Sequence, residues 1–284
     1  MLSDQTKASI GPGVAAALAE DVGAGDLTAS LVDADAVVGA QIIARESLVL
    51  CGEDWVNEVF RQLDDSIIID WYIGDGGRAE AGDIICKLVG PATTLLTGER
   101  TALNFLQTLS STATLTAAYV DAVEGTKARV LDTRKTIPGL RLAQKYAVTC
   151  GGGLNHRTGL FDAILIKENH IKSAGGITAA LRAAGDLDAD VLIEVEVENH
   201  EELLEALDAG AQRVLLDNFS IDELQKAVET NQEYGYVAAE LEASGNVTLA
   251  TIREIAETGV DYISTGALTK NVEAADLSML FSID

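Results

Sequence analysis

The chain has 284 residues and carries 45 acidic against 20 basic residues, a formal net charge of −25. Its length allows one large domain or two moderate ones, and its composition, 48% hydrophobic with 5% aromatic, is typical of aliphatic helices packed on parallel strands. So acidic a chain is unsuited to binding nucleic acid or anionic membranes, because both need broad clusters of Lys and Arg.

The N-terminal part of the chain is predicted to mix strands with helices. A short helix within residues 1–30 precedes strands at 37–46, 47–52, 66–73 and 83–90, and an amphipathic helix carries Trp55, Val59, Phe60 and Leu63. The segment from Thr93 to about Glu124 has a helical pattern, with two helices broken near Ser110 and Ser111 as an alternative.

After residue 126 short apolar strands alternate with helices. Helices are expected to begin near Gly176, His200, Ser220 and Thr248. This alternation predicts parallel strands joined by right-handed crossovers, in either an open doubly wound sheet or a barrel. No G-x-G-x-x-G or P-loop motif occurs, so dinucleotide-binding and P-loop folds lose their main support. The predicted strands are 128–131, 162–166, 190–197, 213–216, 236–242 and 261–264.

One strand favours the barrel. In residues 191–197 the side chains alternate, so that Glu194 and Glu196 share one face and the Val and Ile side chains share the other. Buried carboxylates are costly unless they meet cations or a metal, and Lys167 follows the preceding strand as a partner for both. A barrel lined by polar groups near its carboxyl end accommodates such residues.

Residues 134–172 reverse the charge of the chain. They contain only two acids, and their basic residues are Arg134, Lys135, Arg141, Lys145, Arg157, Lys167 and Lys172. A local positive surplus in an acidic protein indicates a pocket for a small polyanion. A chance cluster on a solvated helix face is the alternative, but the interleaved Gly, Thr and Pro residues are typical of loops.

Polar residues recur at the ends of all six predicted strands. Each one alone has an ordinary explanation, because a strand-end Asp such as Asp217 often caps the following helix. Together they indicate an active site at the carboxyl ends of the strands, with small loops after the last two strands suited to phosphate. The residues are Asp132, Thr133, Arg134, Lys135, Lys167, Glu196, Asp217, Glu240, Glu242, Ser244, Gly245, Ser264, Thr265 and Gly266.

Targeting signals and cysteine pairs are not evident. No apolar run is long enough for a membrane span, and the first residues lack the layout of a signal peptide, so a cytoplasmic location is expected. Cys51, Cys86 and Cys150 are widely spaced, which indicates neither a disulfide framework nor a zinc site. The acidity leads to the hypothesis of a halophilic host, since counterions screen the self-repulsion of the chain.

Ordered motifs along most of the chain resemble the quinolinate phosphoribosyltransferases, also called carboxylating nicotinate-nucleotide pyrophosphorylases. Ser111 departs from the Gly common in that family, and we expect only a local packing change there. A sibling group of molybdenum-associated proteins shares the fold, but the full basic set favours the transferases. The motifs are EDVGAGDLT at 20–28, GERTALNFLQ at 98–107, LDTRKTIPGLR at 131–141, QKYAVTCGGGLNHR at 144–157, LIKENH at 165–170, EVEVEN at 194–199, LLDNF at 215–219, LEASGNVT at 241–248 and ISTGALT at 263–269.

The resemblance implies an N-terminal α/β sandwich domain at 1–105, to which the segment at about 270–284 returns, and an open α/β barrel with parallel strands at 106–269. It implies a Mg²⁺-dependent reaction of quinolinate with phosphoribosyl pyrophosphate that gives nicotinate mononucleotide, pyrophosphate and CO₂. It also implies a homodimer with shared active sites, with a hexamer left open.

The resemblance assigns roles to individual residues. Quinolinate is expected to bind Arg100, Arg134, Lys135, His156, Arg157 and Lys167, and Arg100 matches the residue that one subunit contributes to the active site of the other. Glu196 and Asp217 match the carboxylates that hold ribose and metal. The 5′-phosphate is expected at Ser244, Gly245, Asn246, Ser264 and Gly266.

Two other classes of function stay open at the level of sequence. A Schiff-base aldolase-type barrel would use Lys167 as its nucleophile, a position shared by catalytic groups of many chemistries. A non-catalytic sensor would bind an anionic metabolite without releasing pyrophosphate.

Overall fold

The computed structural model describes residues 2–33, 35–187 and 190–282, and it divides into two compact units. The first unit comprises Met1–Ala117, Ile137–Gly152 and Asn271–Asp284, and the second comprises Ala118–Thr136 and Gly153–Lys270. Residues 106–117 and 137–152 therefore group with the first unit, whereas the sequence analysis places them in the barrel domain. Of the C-terminal segment expected to return to the first domain, residues 283–284 lie outside the described part of the chain.

The first unit is built on antiparallel strands. Its four-stranded sheet has the order β12-β1-β5-β3, and β2 pairs with β4 in a separate ladder. The C-terminal strand β12 lies beside β1, with Gly39 opposite Ser282. The elements are α1 (Asp4–Val22), β1 (Val37–Ala44), β2 (Leu48–Val49), α2 (Glu53–Leu63), β3 (Ile68–Trp71), β4 (Arg78–Ala79), β5 (Ile84–Pro91), α4 (Arg141–Cys150) and β12 (Leu277–Ser282), together with most of α3 (Ala92–Ala122).

Helix α2 confirms the predicted amphipathic helix. Trp55, Val59 and Phe60 are buried in the core of the first unit, and Leu63 packs against that core. At the start of the helix Asp75 Oδ1 accepts the main-chain N–H groups of Gly52 and Glu53, which would otherwise lack partners.

The alternative of two helices broken near Ser110 is wrong, because α3 is continuous. The Ser110 hydroxyl is buried and accepts the N–H of Cys51, and it also donates to the carbonyl of the same residue. A serine hydroxyl that hydrogen-bonds to a neighbouring segment does not compete with the main-chain hydrogen bonds of its own helix. The helical pattern of the segment therefore extends through this residue.

The second unit contains the predicted parallel sheet, and the expected open α/β barrel is confirmed. All six strands are parallel in the order β6-β11-β10-β9-β8-β7, and among the described residues the two edge strands do not pair with each other. The elements are β6 (Arg129–Leu131), β7 (Ala163–Ile166), α5 (Glu168–Ala174), α6 (Ile177–Gly185), β8 (Leu192–Val197), α7 (His200–Asp208), β9 (Arg213–Asp217), α8 (Ile221–Glu233), β10 (Glu240–Ser244), α9 (Ile252–Glu257), β11 (Tyr262–Ser264) and α10 (Ala267–Lys270).

Two elements of the second unit begin four residues later than the sequence predicts. The strand expected at 236–242 begins at Glu240, because Tyr236 and Val237 belong to a short 3-10 turn and are exposed. The helix expected near Thr248 begins at Ile252. The first shift moves the end of β10 to Ser244, so that this residue belongs to the sheet itself.

Within residues 2–33, 35–187 and 190–282, no helix combines the length and apolar character needed to cross a membrane.

Candidate active site

The parallel register brings polar residues from distant parts of the chain into rows. Asp217, Ser244 and Ser264 lie in register at the carboxyl ends of β9, β10 and β11. Two residues earlier on β9 and β10, Leu215 and Glu242 lie in a second row, which Glu196 of β8 extends. Neighbours in register on parallel strands point to the same face, so both rows face the same side of the sheet.

These rows border a cavity of about 290 Å³ in the second unit. Most of the predicted site residues meet there, although they come from separate strand ends and loops. The lining residues are Thr133, Arg134, Lys135, His156, Arg157, Leu165, Lys167, Glu196, Leu215, Asp217, Glu242, Ser244 and Ser264.

The cavity is rich in cations. Arg134, Lys135, Arg157 and Lys167 all line it. Partial burial lowers the pKa of Arg157, and the nearby charge of Arg134 lowers it further. Cations that are held close together in a partly buried site favour an anionic ligand, which would relieve their repulsion.

The rest of the basic segment does not contribute to this cavity. Arg141 and Lys145 lie on α4 in the first unit, so the loop structure inferred for this segment is wrong there. The buried Ala143, Ala147 and Val148 form an apolar face that stabilises this helix. Lys172 pairs with Glu168 on the surface of α5.

Lys167 forms an ion pair with Glu196, which confirms one of its two predicted partners. The other prediction is wrong, because Glu194 pairs with His156 instead, with Nε2 of the histidine 2.8 Å from Oε2. Glu194 is buried one pleat deeper than Glu196, and there the ring of His156 reaches it.

Glu196 and Asp217 have the chemistry expected of a Mg²⁺ site. Asp217 is the last residue of β9 and Glu196 the last but one of the neighbouring β8, both line the same cavity, and carboxylate oxygens are the hard ligands that Mg²⁺ prefers. Glu196 already holds the Lys167 ammonium, and Asp217 Oδ2 accepts the side-chain amide of Asn218. The fit to a cation bound together with substrate rests on these two oxygen donors lining one cavity.

The predicted phosphate residues fall into two groups. Ser244 and Ser264 line the cavity, whereas Gly245, Asn246 and Gly266 lie in the loops that directly follow their strands. Gly245 has φ +102°, and a Cβ atom there would lie 2.2 Å from Oδ1 of Asn218. Only glycine allows this close approach of the two loops.

Glu242 is a cavity residue whose role the sequence did not assign. Burial and the charge of Glu194 raise the pKa of Glu242 to about 8, against the opposing effect of His156. The signal that could have found it is its position, since it lies two residues before Ser244 and therefore on the same, cavity-lining face of β10.

Arg100 is the one predicted quinolinate residue outside the second unit. It lies on α3 in the first unit, and its side chain is exposed.

Comparisons with known proteins agree with the motifs. Residues 26–110 match the quinolinate phosphoribosyl transferase N-terminal domain, and residues 112–280 match the C-terminal domain of the same enzymes. The chain belongs to the quinolinate phosphoribosyltransferase family.

Individual relatives of this phosphoribosyltransferase cover nearly the whole chain. A protein named probable nicotinate-nucleotide pyrophosphorylase [carboxylating] from Bacillus subtilis is 40% identical over 264 residues, which is 92% of this chain and 89% of the relative. Quinolinate phosphoribosyltransferase [decarboxylating] 2b from Nicotiana tabacum is 40% identical over 93% of this chain and 79% of its own. The structure of the nicotinate-nucleotide pyrophosphorylase from Francisella tularensis has a TM-score of 0.92 and 48% identity, covering 97% of this chain and 96% of that one.

Proposed function

We propose that this protein transfers the phosphoribosyl group of phosphoribosyl pyrophosphate to quinolinate and removes CO₂, giving nicotinate mononucleotide and pyrophosphate for de novo NAD biosynthesis. Family membership supports this reaction. The observation that carries it is the convergence of four cations, Arg134, Lys135, Arg157 and Lys167, on one cavity beside Glu196 and Asp217.

The cations suit the first substrate. Quinolinate is a planar dicarboxylate, and guanidinium groups hold carboxylates in a fixed orientation through paired hydrogen bonds. Arg134 and Arg157 supply two such groups, and Lys135 and Lys167 add point charges. This arrangement would hold the ring nitrogen toward the sugar, which reduces the entropy cost of the reaction.

The carboxylates and hydroxyls of the cavity suit the second substrate. Glu196 and Asp217 would hold the ribose hydroxyls and Mg²⁺, and bound Mg²⁺ supplies charge neutralisation for the departing pyrophosphate. Ser244, Ser264 and the loops with Gly245, Asn246 and Gly266 would bind the 5′-phosphate. After glycosyl transfer the positive ring nitrogen stabilises the electron pair left by CO₂, so the protein needs mainly to position its substrates.

An aldolase-type reaction receives less support. Lys167 is half exposed and ion-paired with Glu196. A Schiff-base nucleophile is instead a desolvated amine that lacks a carboxylate partner.

We also propose a cytoplasmic homodimer with shared active sites, in which Arg100 enters the site of the other subunit, and such dimers can assemble further into hexamers. Mixing Arg100→Ala chains with Lys167→Ala chains tests the shared site. Activity should return as hybrid dimers form, because one of the two sites then has both residues. No recovery after demonstrated subunit exchange would contradict the arrangement.

The proposed reaction is tested by a coupled assay for nicotinate mononucleotide with phosphoribosyl pyrophosphate and Mg²⁺ at high KCl. Quinolinate and nicotinate are supplied in parallel. Turnover with the dicarboxylate alone is expected. Binding of quinolinate without release of pyrophosphate would instead identify a sensor, and borohydride inactivation at Lys167 would identify Schiff-base chemistry.

A further inference from the structure

Two of the three cysteines meet within the first unit. Cys51 lies just before α2, and Cys150 is the last residue of α4. Their Sγ atoms and a carboxylate oxygen of Asp75, in the turn between β3 and β4, all lie within 4.8 Å of one another. We call these three residues the thiol–carboxylate cluster. All of them belong to the first unit, so the cluster is not part of the cavity in the second unit.

The carboxylate of the cluster is held in one orientation. Asp75 Oδ1 accepts the main-chain N–H groups of Gly52 and Glu53 at 2.7 and 3.0 Å. Its Oδ2 accepts the Tyr146 hydroxyl at 2.9 Å. These three donors are neutral groups, so none of them offsets the negative charge of the carboxylate. Hydrogen bonds that fix the orientation of a carboxylate in this way are typical of metal ligands.

The two cysteines are held as firmly as the carboxylate. The N–H of Cys51 donates to the Ser110 hydroxyl, which donates in turn to the carbonyl of Cys51. Cys150 is followed by Gly151, where a Cβ atom would lie 2.3 Å from the carbonyl oxygen of Ala113. Only glycine therefore allows the end of α4 to pack so closely on α3. Both thiols thus belong to main-chain segments that are fixed against α3.

The charges around the cluster favour a cation. The first turn of α2 adds Glu53 and Asp54 close to Asp75. A negative local potential attracts cations and opposes a further negative charge. It therefore disfavours the free thiolate with which thiol–disulfide exchange begins. A metal ion is instead bound more strongly there, because its charge offsets those of the carboxylate and of the thiolates that coordinate it.

The donor atoms select the kind of ion. Cysteine sulfur suits Zn²⁺ and other thiophilic ions, whereas Mg²⁺ and Ca²⁺ prefer oxygen. Ligand atoms of a tetrahedral Zn²⁺ lie about 3.5–4 Å apart, given bond lengths of about 2.0–2.3 Å. Atoms that are already within 4.8 Å of one another need to move little to reach this arrangement. Two sulfurs and one oxygen leave the fourth position to water, and the thiol protons pass to solvent as the zinc–sulfur bonds form.

We propose that Cys51, Asp75 and Cys150 form a Zn²⁺ site that joins α4 and the turn between β3 and β4 to the segment before α2. Spacing along the sequence did not indicate a zinc site, because the three ligands come from three separate segments. The site is independent of the proposed reaction. Its metal also differs in chemistry from the Mg²⁺ proposed for Glu196 and Asp217.

Metal titration of the reduced full-length protein tests the site directly. In the presence of excess Mg²⁺, Co²⁺ should give the near-ultraviolet thiolate-to-cobalt charge-transfer band at one Co²⁺ per chain, and one equivalent of Zn²⁺ should remove the band. The band requires sulfur ligands, so Co²⁺ bound by carboxylates alone does not produce it. A reduced protein without this band would overturn the proposal, whether or not Cys51 and Cys150 form a disulfide on oxidation.

Matched variants assign the ligands. Cys150→Ser and Asp75→Asn preserve the size of each side chain, and each should weaken Zn²⁺ binding by at least about a hundredfold, since residues that only orient a ligand cost about 10–100-fold. Cys86→Ala removes the buried third cysteine, and Asp70→Asn removes an exposed carboxylate of β3. Both controls should bind Zn²⁺ as the wild type does. Wild-type affinity in Cys150→Ser, or equal losses in the controls, would contradict the site.

Thermal unfolding gives an independent readout. Because Zn²⁺ would bind the folded chain across three segments, the melting temperature should rise with Zn²⁺ concentration in the wild type and in Cys86→Ala. A rise of equal size in Cys150→Ser would show that the metal binds elsewhere. If the ligand variants fail to fold, the cobalt spectrum of the wild type still decides the proposal. A lack of turnover with quinolinate would refute the proposed function and leave these metal measurements unaffected.

Discussion

Lys167 and Glu196 form an ion pair that joins the carboxyl ends of the neighbouring strands β7 and β8. The ammonium belongs to the proposed quinolinate side of the cavity, and the carboxylate belongs to the ribose side. The pair therefore lies where the two substrates would meet.

Glu196→Gln should lower turnover while leaving quinolinate binding nearly unchanged. The variant keeps the size of the side chain but removes the charge proposed to hold ribose and Mg²⁺, so kcat should fall by about a hundredfold. Quinolinate affinity should stay within about threefold, because Lys167 remains. Calorimetric titration and steady-state rates measure both, and Glu198→Gln, which alters an exposed residue just beyond the strand, is the matched control. A larger loss of quinolinate binding than of turnover would contradict the assignment.

Arg134→Ala should weaken quinolinate binding by about 2–4 kcal/mol, because a carboxylate of the ligand would be desolvated without its guanidinium partner. Equilibrium binding of quinolinate to the free enzyme measures this effect. Arg182→Ala removes an exposed arginine from α6 in the same unit and should leave the affinity unchanged. An Arg134→Ala dissociation constant within twofold of the wild type would exclude Arg134 from the pocket.

Glu242 should make the stability of the protein depend on pH. Because the pKa of Glu242 is raised to about 8, its contribution to stability is complete below the pKa of the unfolded chain and is lost as the pH rises through about 8. Glu242→Gln mimics the protonated form at every pH. Its free energy of unfolding relative to the wild type should therefore increase by about 1–4 kcal/mol between about pH 5 and about pH 9.

Urea unfolding at several pH values checks this prediction. Glu229→Gln, which changes an exposed residue of α8, should show no such trend. A pH-independent difference between Glu242→Gln and the wild type would mean that the Glu242 carboxyl is ionised in the folded state at neutral pH.

High salt should stabilise the fold. With a net charge of −25, the folded chain repels itself, and counterions screen that repulsion. The melting temperature should rise from low to molar KCl, and sucrose at matched osmolality separates screening from general solute exclusion. Equal melting temperatures in low and molar KCl would end the halophilic hypothesis.

The local pattern of the chain was enough to predict much of the fold. The alternation of short apolar strands and helices after residue 126 predicted the parallel sheet, because apolar periodicity depends only on neighbouring residues. Parallel strands place their carboxyl ends together, so Arg134, Lys167, Asp217 and Ser244 could be assigned to one site before any distance was known.

Other features depended on contacts between residues far apart in sequence. The sequence leaves open a break in α3 near Ser110, whereas the side chain of Ser110 hydrogen-bonds to Cys51, 59 residues away, and the helix continues. Cys51 and Cys150 are 99 residues apart in the sequence, yet their Sγ atoms and a carboxylate oxygen of Asp75 all lie within 4.8 Å of one another. Spacing along the chain carries no information about such approaches.

The sequence by itself determined the class of fold, the family and the residues that reach the strand ends, since these follow from periodicity and from motifs read in order. Only the tertiary structure decided which cations share the cavity and which carboxylate each one meets. Lys167 pairs with Glu196 and His156 with Glu194 because strand register and depth in the sheet select the partners. Those two quantities arise only when the strands are assembled.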